Sequence, residues 1–473
     1  MKRILVQIVM FCILTASLTA AAKVLKATNA AEAGKLANTL KPGDTLILKN
    51  GVWKDQTMDI WAKGSKEQPI TIRAETPGGV IFTGKSLFVV GGKHLIVSGL
   101  LFKDGSAEVP FRRLITIYGS HIRLTNTAVT NSAASQWVYV KQKSEHVEID
   151  HCDFGNKKSK GQLMTIRHNS TKTTKPNFHH IHHNYFHDFK RGNENSFETL
   201  QIGQGPASKI PSKTVVEYNL FERCSGEDEI ISNKSYNNTY RYNVFRHCLG
   251  GLTLRAGKNC LVEGNYFFGG GIRGTGGVRL CDDNHRVINN YFANLNERGA
   301  IAMTATWKIE GPKPFWPRVT NALVAFNTIV NCKDAFWMGW YTPKNTGSIV
   351  PKDIIISNNL IVGKGRFVFY SEQTIPENMS CEGNIVDGRE MGHIKTQGFK
   401  KIVVKMIEKD GVQRPAPGSP VIGTAEGKLP KISTDIDGQD RGTKKDVGCD
   451  QLSEKPVKRK PVSKADVGIS WKL

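Results

Sequence analysis

The segment "GEDEIISNKS" places Glu227 and Glu229 two residues apart, and on an extended strand that spacing points both carboxylates to one face. Two parallel carboxylates repel unless positive charge lies between them. A basic side chain would serve, and so would a hard cation such as Ca²⁺, which prefers carboxylate and amide oxygens. The plainer alternative is a solvated acidic strand edge. Lys234 and Arg255 shift the balance. They stand 21 residues apart, and Arg279 follows 24 residues later. If about that many residues make one structural unit, the three form a basic column beside the carboxylates, a track for a polyanion next to a cation site. Stacked basic side chains also occur on surfaces that bind nothing, so the column gains its meaning from the carboxylates.

Such a column needs a repeating scaffold, and the sequence supplies one. Phe186, Phe221, Phe245, Phe267 and Phe292 each stand two residues after an asparagine. The register asparagines are Asn184, Asn219, Asn243, Asn265, Asn290, Asn327, Asn359 and Asn384, separated by 35, 24, 22, 25, 37, 32 and 25 residues. A repeat near 22 to 25 residues with occasional insertions is a solenoid, in which each unit buries its apolar face only by stacking on its neighbours. Within a unit, stretches such as "VVEYNLF", "CLVEGNYF" and "HRVINNYF" alternate apolar residues with period two and break at Asn and Gly, which are strand and turn signals. Equivalent side chains would stack as ladders at the strand spacing of ~4.8 Å. A leucine-rich repeat would need Leu at several fixed positions and helices between strands, and neither is present. The expectation is an all-β, right-handed parallel β-helix.

An Ala-rich stretch within residues 23–50 predicts a helix covering the open end of the first coil. The solenoid is expected to fill residues 23–430 as one domain, since a one-dimensional stack escapes the size limit of a globular core. Insertions rich in Lys, Gly, Ser, Thr, Asn and Pro fall at 156–177, 188–212, 305–320 and 339–350 and predict loops on a binding side. Residues 431–473 form a basic, Pro-containing extension, expected to be partly extended or disordered.

Residues 1–22 carry two basic residues, an apolar run and an Ala-rich end, the composition of a secretory signal peptide. The expected product is secreted or periplasmic, and no later stretch is apolar enough to span a bilayer. The 65 basic against 42 acidic residues give a net charge of +23, which raises the local concentration of polyanions. Nucleic acid is the usual polyanion for such a charge, but export favours an acidic polysaccharide instead, bound by a monomer. Eight cysteines follow the signal. Cys224, Cys248 and Cys332 each lie five residues after a register asparagine and share one inward position; free core thiols are favoured, although export permits a Cys224–Cys248 disulfide.

"NSFETLQIGQG", "GEDEIISNKS" and "GGLTLRAGKNCLVEGNYFFGG" resemble the signature stretches of polysaccharide lyase family six, which contains alginate lyases and chondroitinase B. The likeness extends to "LKPGDTLILKNGVW" near the N-terminus and "DIDGQDR…DVGCDQ" near the C-terminus. It implies Lys234 as the Brønsted base, Arg255 as the acid, and a Ca²⁺ held by Asn195, Glu227 and Glu229. One position departs: the residue after the catalytic arginine is commonly His in the family and is Ala256 here, which removes a side chain able to contact substrate or relay a proton.

The residue types suit β-elimination on a 4-linked uronate. The C5 hydrogen is α to a carboxylate whose charge makes it very weakly acidic, and a Ca²⁺ acting as Lewis acid relieves that charge. Lys234 must be neutral to take the proton. Arg255 is an awkward acid because guanidinium scarcely deprotonates, so it serves mainly to stabilise developing charge. Arg279 and His187 are candidates to line the substrate groove. Trp340 and Tyr341, beside Trp337, could stack on sugar rings, with coil-end packing the alternative. The histidines of "NFHHIHHNYFHDF" flank core positions and read as structural rather than as zinc ligands. The reading is an alginate lyase. Its rivals are a lyase of dermatan-type chondroitin sulfate and, from another class, a non-catalytic β-helix that binds acidic polysaccharide.

Overall fold

The structure, a computed structural model, describes residues 21–109, 113–168, 175–193, 195–205, 209–307, 317–340, 348–371, 375–427 and 432–473. Of the segment read as a signal peptide, only residues 21 and 22 are among them. The strands are short and pair in parallel with the equivalent strand one coil away: Phe186 lies opposite Phe221, Phe221 opposite Phe245, and Phe245 opposite Phe267. This is the expected parallel β-helix, with the right-handed sense that parallel crossovers take.

Each coil has three faces. Two belong to one large sheet, carried for example by Gln136–Val140 and Glu148–Asp150, and the third to a second sheet that contains Asp153–Gly155. The Phe ladder points inward from the third face, with ring centroids 4.8 Å apart from Phe186 to Phe221 and from Phe221 to Phe245, and 4.6 Å from Phe245 to Phe267. The corner before it is turned by the residue preceding each register asparagine, which takes a left-handed conformation: φ is 52° at His183 and Tyr218, 57° at Tyr242 and 55° at Asn358. A β-carbon resists that geometry. Glycine takes the position at Gly264 and Gly383, where it costs least.

Buried asparagines hold the corner. The Asn219 side-chain oxygen accepts from the Asn184 N–H and side-chain amide, that of Asn243 accepts from Asn219, and that of Asn265 from Asn243, all at 2.9–3.1 Å. The ladder continues to Asn384. At the N-terminal end the helix Ala30–Ala37 is capped by Asn29, whose side-chain oxygen accepts from Glu32 N–H at 2.9 Å, and it buries Ala30, Ala33 and Ala37 over the first coil. The cysteines among the described residues are free; Cys224, Cys248 and Cys332 are buried core thiols.

Residues 432–473 run back along the third face. Gly448 N–H donates to Asn358 O at 3.0 Å, Gly468 N–H to His183 O at 2.9 Å, and Ser470 N–H to Asn126 Oδ1 at 2.9 Å. No described helix is long and apolar enough to cross a membrane.

Candidate active site

The strand Glu229–Lys234 lies between Leu200–Gly203 and Gly251–Ala256 on the first face, and its outward row runs Gln201, Ser232, Thr253, Arg279. Two irregularities bracket it, where an extra residue, Ile230 on one strand and Arg255 on its neighbour, interrupts the ladder. A bulge re-aims the side chains around it. Here Arg255 Nη1 donates to Glu229 Oε1 at 3.1 Å. Arg279, one coil further, also donates to Glu229 Oε1, and Ser232 Oγ donates to Oε2.

Three carboxylates converge beside these bases. Glu198, just ahead of the strand Leu200–Gly203, Glu227, in the turn before Glu229, and Glu229 itself bring oxygens within 4.8 Å of one another. Glu198 and Glu229 are only 2% and 4% exposed, so their charges require compensation. Lys234 Nζ donates to Glu198 Oε1 at 3.4 Å. Burial works against the charge of Glu229, but Arg279, Arg255 and Ser232 outweigh it and hold its pKa below the usual carboxylate range. Glu227 goes the other way. Burial first, then repulsion from Glu198 and Glu229, push it up to about 7, against a hydrogen bond from Phe197 N–H at 3.1 Å and the pull of Lys234. Glu227 makes no ion pair among the described residues. A buried all-oxygen cluster with one member short of positive charge has the donor chemistry that Ca²⁺ takes, and the residues fit such an ion.

Lys234 is held from behind as well: His168 Nε2 lies 3.3 Å from its carbonyl oxygen, and Ala256 is its partner across the ladder. Asp228, between Glu227 and Glu229, points away to Arg191 at 2.8 Å and to Arg298. Arg298 and Arg279 in turn lie 5.3 and 6.0 Å from the Trp340 ring centroid, and these side chains with Thr253 line a small cleft next to the carboxylates.

Of the residues singled out from sequence, the fold brings Lys234, Arg255, Arg279, Glu227 and Glu229 into one patch, with Trp340 at its edge. Asn195 is exposed on the loop above, where its Oδ1 accepts from Ser196 N–H at 2.8 Å. His187 is elsewhere. Its strand, Tyr185–Phe189, belongs to the third face, and it is held between Asp153 at 3.0 Å and Asp188 at 2.7 Å. Tyr341 lies outside the described residues. Glu198 was missed, although it closes the "NSFE" run that drew attention to Asn195.

The chondroitinase B family model matches residues 27–421. A search of the curated proteins returns no match. Among solved structures, the PL6 family alginate lyase AlyGC is 30% identical with a TM-score of 0.80 over 95% of this chain; this chain spans 59% of that protein's length. A mannuronic acid specific polysaccharide family 6 lyase from human gut microbiota is 25% identical, with a TM-score of 0.68 over 80% of this chain and 91% of its own. The PL6 family polysaccharide lyase Pedsa3628 from Pseudopedobacter saltans, at 22% identity and a TM-score of 0.71, covers 95% of this chain and all of its own, and shares the fold. A family model reaching from the first coils to the last, and a fold match of this extent, make the chain a member of the chondroitinase B family, polysaccharide lyase family six.

Proposed function

We propose that the protein is an exported polysaccharide lyase that cleaves alginate by β-elimination, with Ca²⁺ as cofactor and the polymer laid across the face that carries Lys234. The observation behind this reading is the meeting of one amine, two guanidinium groups and three carboxylates on adjacent coils. Family membership and the similarity to alginate lyases support it.

Glu198, Glu227 and Glu229 would hold the ion, with Asn195 as the amide donor that the family resemblance implies. Bound there, Ca²⁺ would supply positive charge to the substrate's carboxylate. Lys234 Nζ takes the C5 proton, the released electron pair forms the C4–C5 double bond, and the C4–O4 bond breaks. Arg255 and Arg279 present guanidinium groups to the charge that develops, a term that weighs heavily in a water-poor site. Because guanidinium scarcely gives up a proton, water protonates the departing O4. Trp340 offers an aromatic edge to a neighbouring ring.

The test is to incubate the protein with alginate and with dermatan sulfate, with and without a chelator, and to follow the ultraviolet absorbance of the unsaturated product. Absorbance should rise on alginate, vanish with chelator and return with added Ca²⁺. Lys234→Ala should abolish turnover while the polymer still binds; retained turnover would refute Lys234 as the base. The chondroitinase B model favours one rival: product from dermatan sulfate alone would make the protein a chondroitinase. No product from either glycan, with binding retained, would leave a binding module.

A further inference from the structure

The face that carries Lys234 has a second concave patch nearer its N-terminal end. Trp61, 48% exposed, lies flat over Gly91, where a β-carbon would stand 2.4 Å from its ring. Its ring meets Tyr118 at 5.5 Å between centroids, and Lys141 Nζ lies 4.9 Å from the Tyr118 centroid. On the other side of a floor made by Val89 and Thr116 stands Arg113, its guanidinium 3.7 Å from the centroid of Tyr139. Asp59 accepts from the Trp61 indole N–H at 2.7 Å and so fixes the ring's tilt. The cleft has a volume of about 430 Å³, within the range of small-ligand sites.

Its chemistry matches an acidic sugar. Exposed aromatic faces stack on the apolar faces of pyranose rings, and the two cations, each backed by an aromatic ring, suit the carboxylates of a uronate. The cleft is also tied to the Lys234 patch by a continuous polar rail. Arg113 Nε donates to Gln136 Oε1 at 3.3 Å, Gln136 Nε2 to Gln162 Oε1 at 3.0 Å, Gln162 Nε2 to Glu198 Oε2 at 3.0 Å, and Lys234 Nζ reaches the other Glu198 oxygen at 3.4 Å. Three strand steps separate Gln136–Val140 from Glu229–Lys234, or ~14 Å at the usual spacing, and Trp61 lies three steps further out.

We propose that this cleft is a remote binding site for the acidic polysaccharide itself, gripping a uronate several rings from the bond that is cut, so that the polymer lies along the solenoid axis. The inference takes the identity of the glycan from the lyase reading, and the cleft itself stands apart from it. A site this far from Lys234 is reached by long chains and not by short ones.

The experiment compares the full chain with Trp61→Ala and Lys141→Ala on polymeric alginate and on an alginate trisaccharide. KM for the polymer should rise about fivefold to tenfold, with kcat/KM for the trisaccharide and the thermal midpoint unchanged. Trp61→Phe, which keeps an aromatic face, should recover most of the loss. An equal loss on both chain lengths, or none on the polymer, overturns the proposal. Calorimetric titration of intact alginate into Lys234→Ala, with and without Trp61→Ala, separates the two readings. If no variant eliminates any glycan, the lyase reading fails, and the cleft still stands or falls on whether Trp61→Ala weakens polymer binding by the same factor. Dermatan sulfate is the second probe, and binding of neither polymer overturns both readings.

Discussion

Glu198 faces two other carboxylates while accepting hydrogen bonds from Gln162 and Lys234. Glu198→Gln keeps the shape but removes a charge and an anionic oxygen donor, and affinity for Ca²⁺ tracks the charge of the ligand set. Calcium affinity by calorimetry should fall at least tenfold, a loss at the lower end of what ligand-shell changes cause. Asn195→Ala should cost less, since a neutral amide contributes no charge; unchanged binding in Glu198→Gln would remove Glu198 from the site. Glu227 and Glu229 were readable because they share one strand entrance. Glu198 was not, because it lies 29 residues before Glu227, across a stretch where the coil register had already been broken by insertions. Lys157 poses a different electrostatic problem. Burial alone draws its pKa from 10.5 down to about 7, with Nζ donating to Ser159 O at 2.8 Å and to Ser159 Oγ at 2.7 Å. Below about pH 7 the amine is charged in both folded and unfolded chains, and folding bears the full cost of burying it. Between about pH 7 and 10.5 the unfolded chain holds a proton that the folded chain lacks, so stability should rise with pH, by up to ~1.4 kcal/mol per pH unit. Urea unfolding at pH 7 and pH 9 should show that rise in the parent and not in Lys157→Met; equal pH dependence in the two would contradict it.

A coil element is only as firm as its corner. Asn243 accepts from Asn219 N–H and Nδ2, and its own amide donates to Val216 O at 2.9 Å, Arg241 O at 3.1 Å and Asn265 Oδ1 at 3.0 Å. Asn243→Ala leaves the buried Asn219 N–H without its partner and takes a donor away from Val216 O, so denaturant unfolding should show a loss of about 1–3 kcal/mol, the cost of one orphaned buried group. The same change at Asn384, the last rung, should cost less, because it breaks the ladder bonds from Asn359 alone, whereas Asn243 also loses its own amide's bond to Asn265 Oδ1. Equal losses at the two positions would mean that the ladder is not what holds the coils. This register was legible because a solenoid must repeat the same side chain at the same place in every turn. The assignment of faces was harder to read. Phe186 pointing inward makes His187 point outward, but period two does not say which of three faces a strand occupies, and the strand Tyr185–Phe189 turned out to lie on the face away from Lys234.

At the scale of the whole molecule, the third face explains a pattern left over in the sequence. The residue before each inward Phe or its aliphatic equivalent is itself mostly apolar: Tyr185, Leu220, Val244, Tyr266, Tyr291, Leu360 and Ile385. A strand with both faces apolar is a strand covered on both sides. The cover comes from the C-terminal segment, which lays Ile436, Val447, Cys449, Val462 and Val467 on that row beside Val404, Val412 and Val421 from the stretch before it, and which is anchored by buried charges, Arg414 to Asp450 at 2.8 Å and Arg441 to Asn289 at 2.8 Å. Its lysines and prolines suggested a partly extended or disordered segment because composition averages over a stretch, whereas docking here depends on a few apolar residues spaced to meet successive coils. Deleting residues 432–473 should therefore do more than shorten the chain. The uncovered row is a contiguous apolar stripe of the kind that drives association, and losing five buried apolar side chains costs on the order of 5 kcal/mol or more. The truncated protein should unfold at a lower temperature and scatter light in a concentration-dependent way. Adding a charge on the stripe, as in Leu220→Lys, should suppress the scattering without recovering the thermal midpoint. A truncated chain that stays monomeric with the parent's midpoint would show that the segment rides on the solenoid without supporting it.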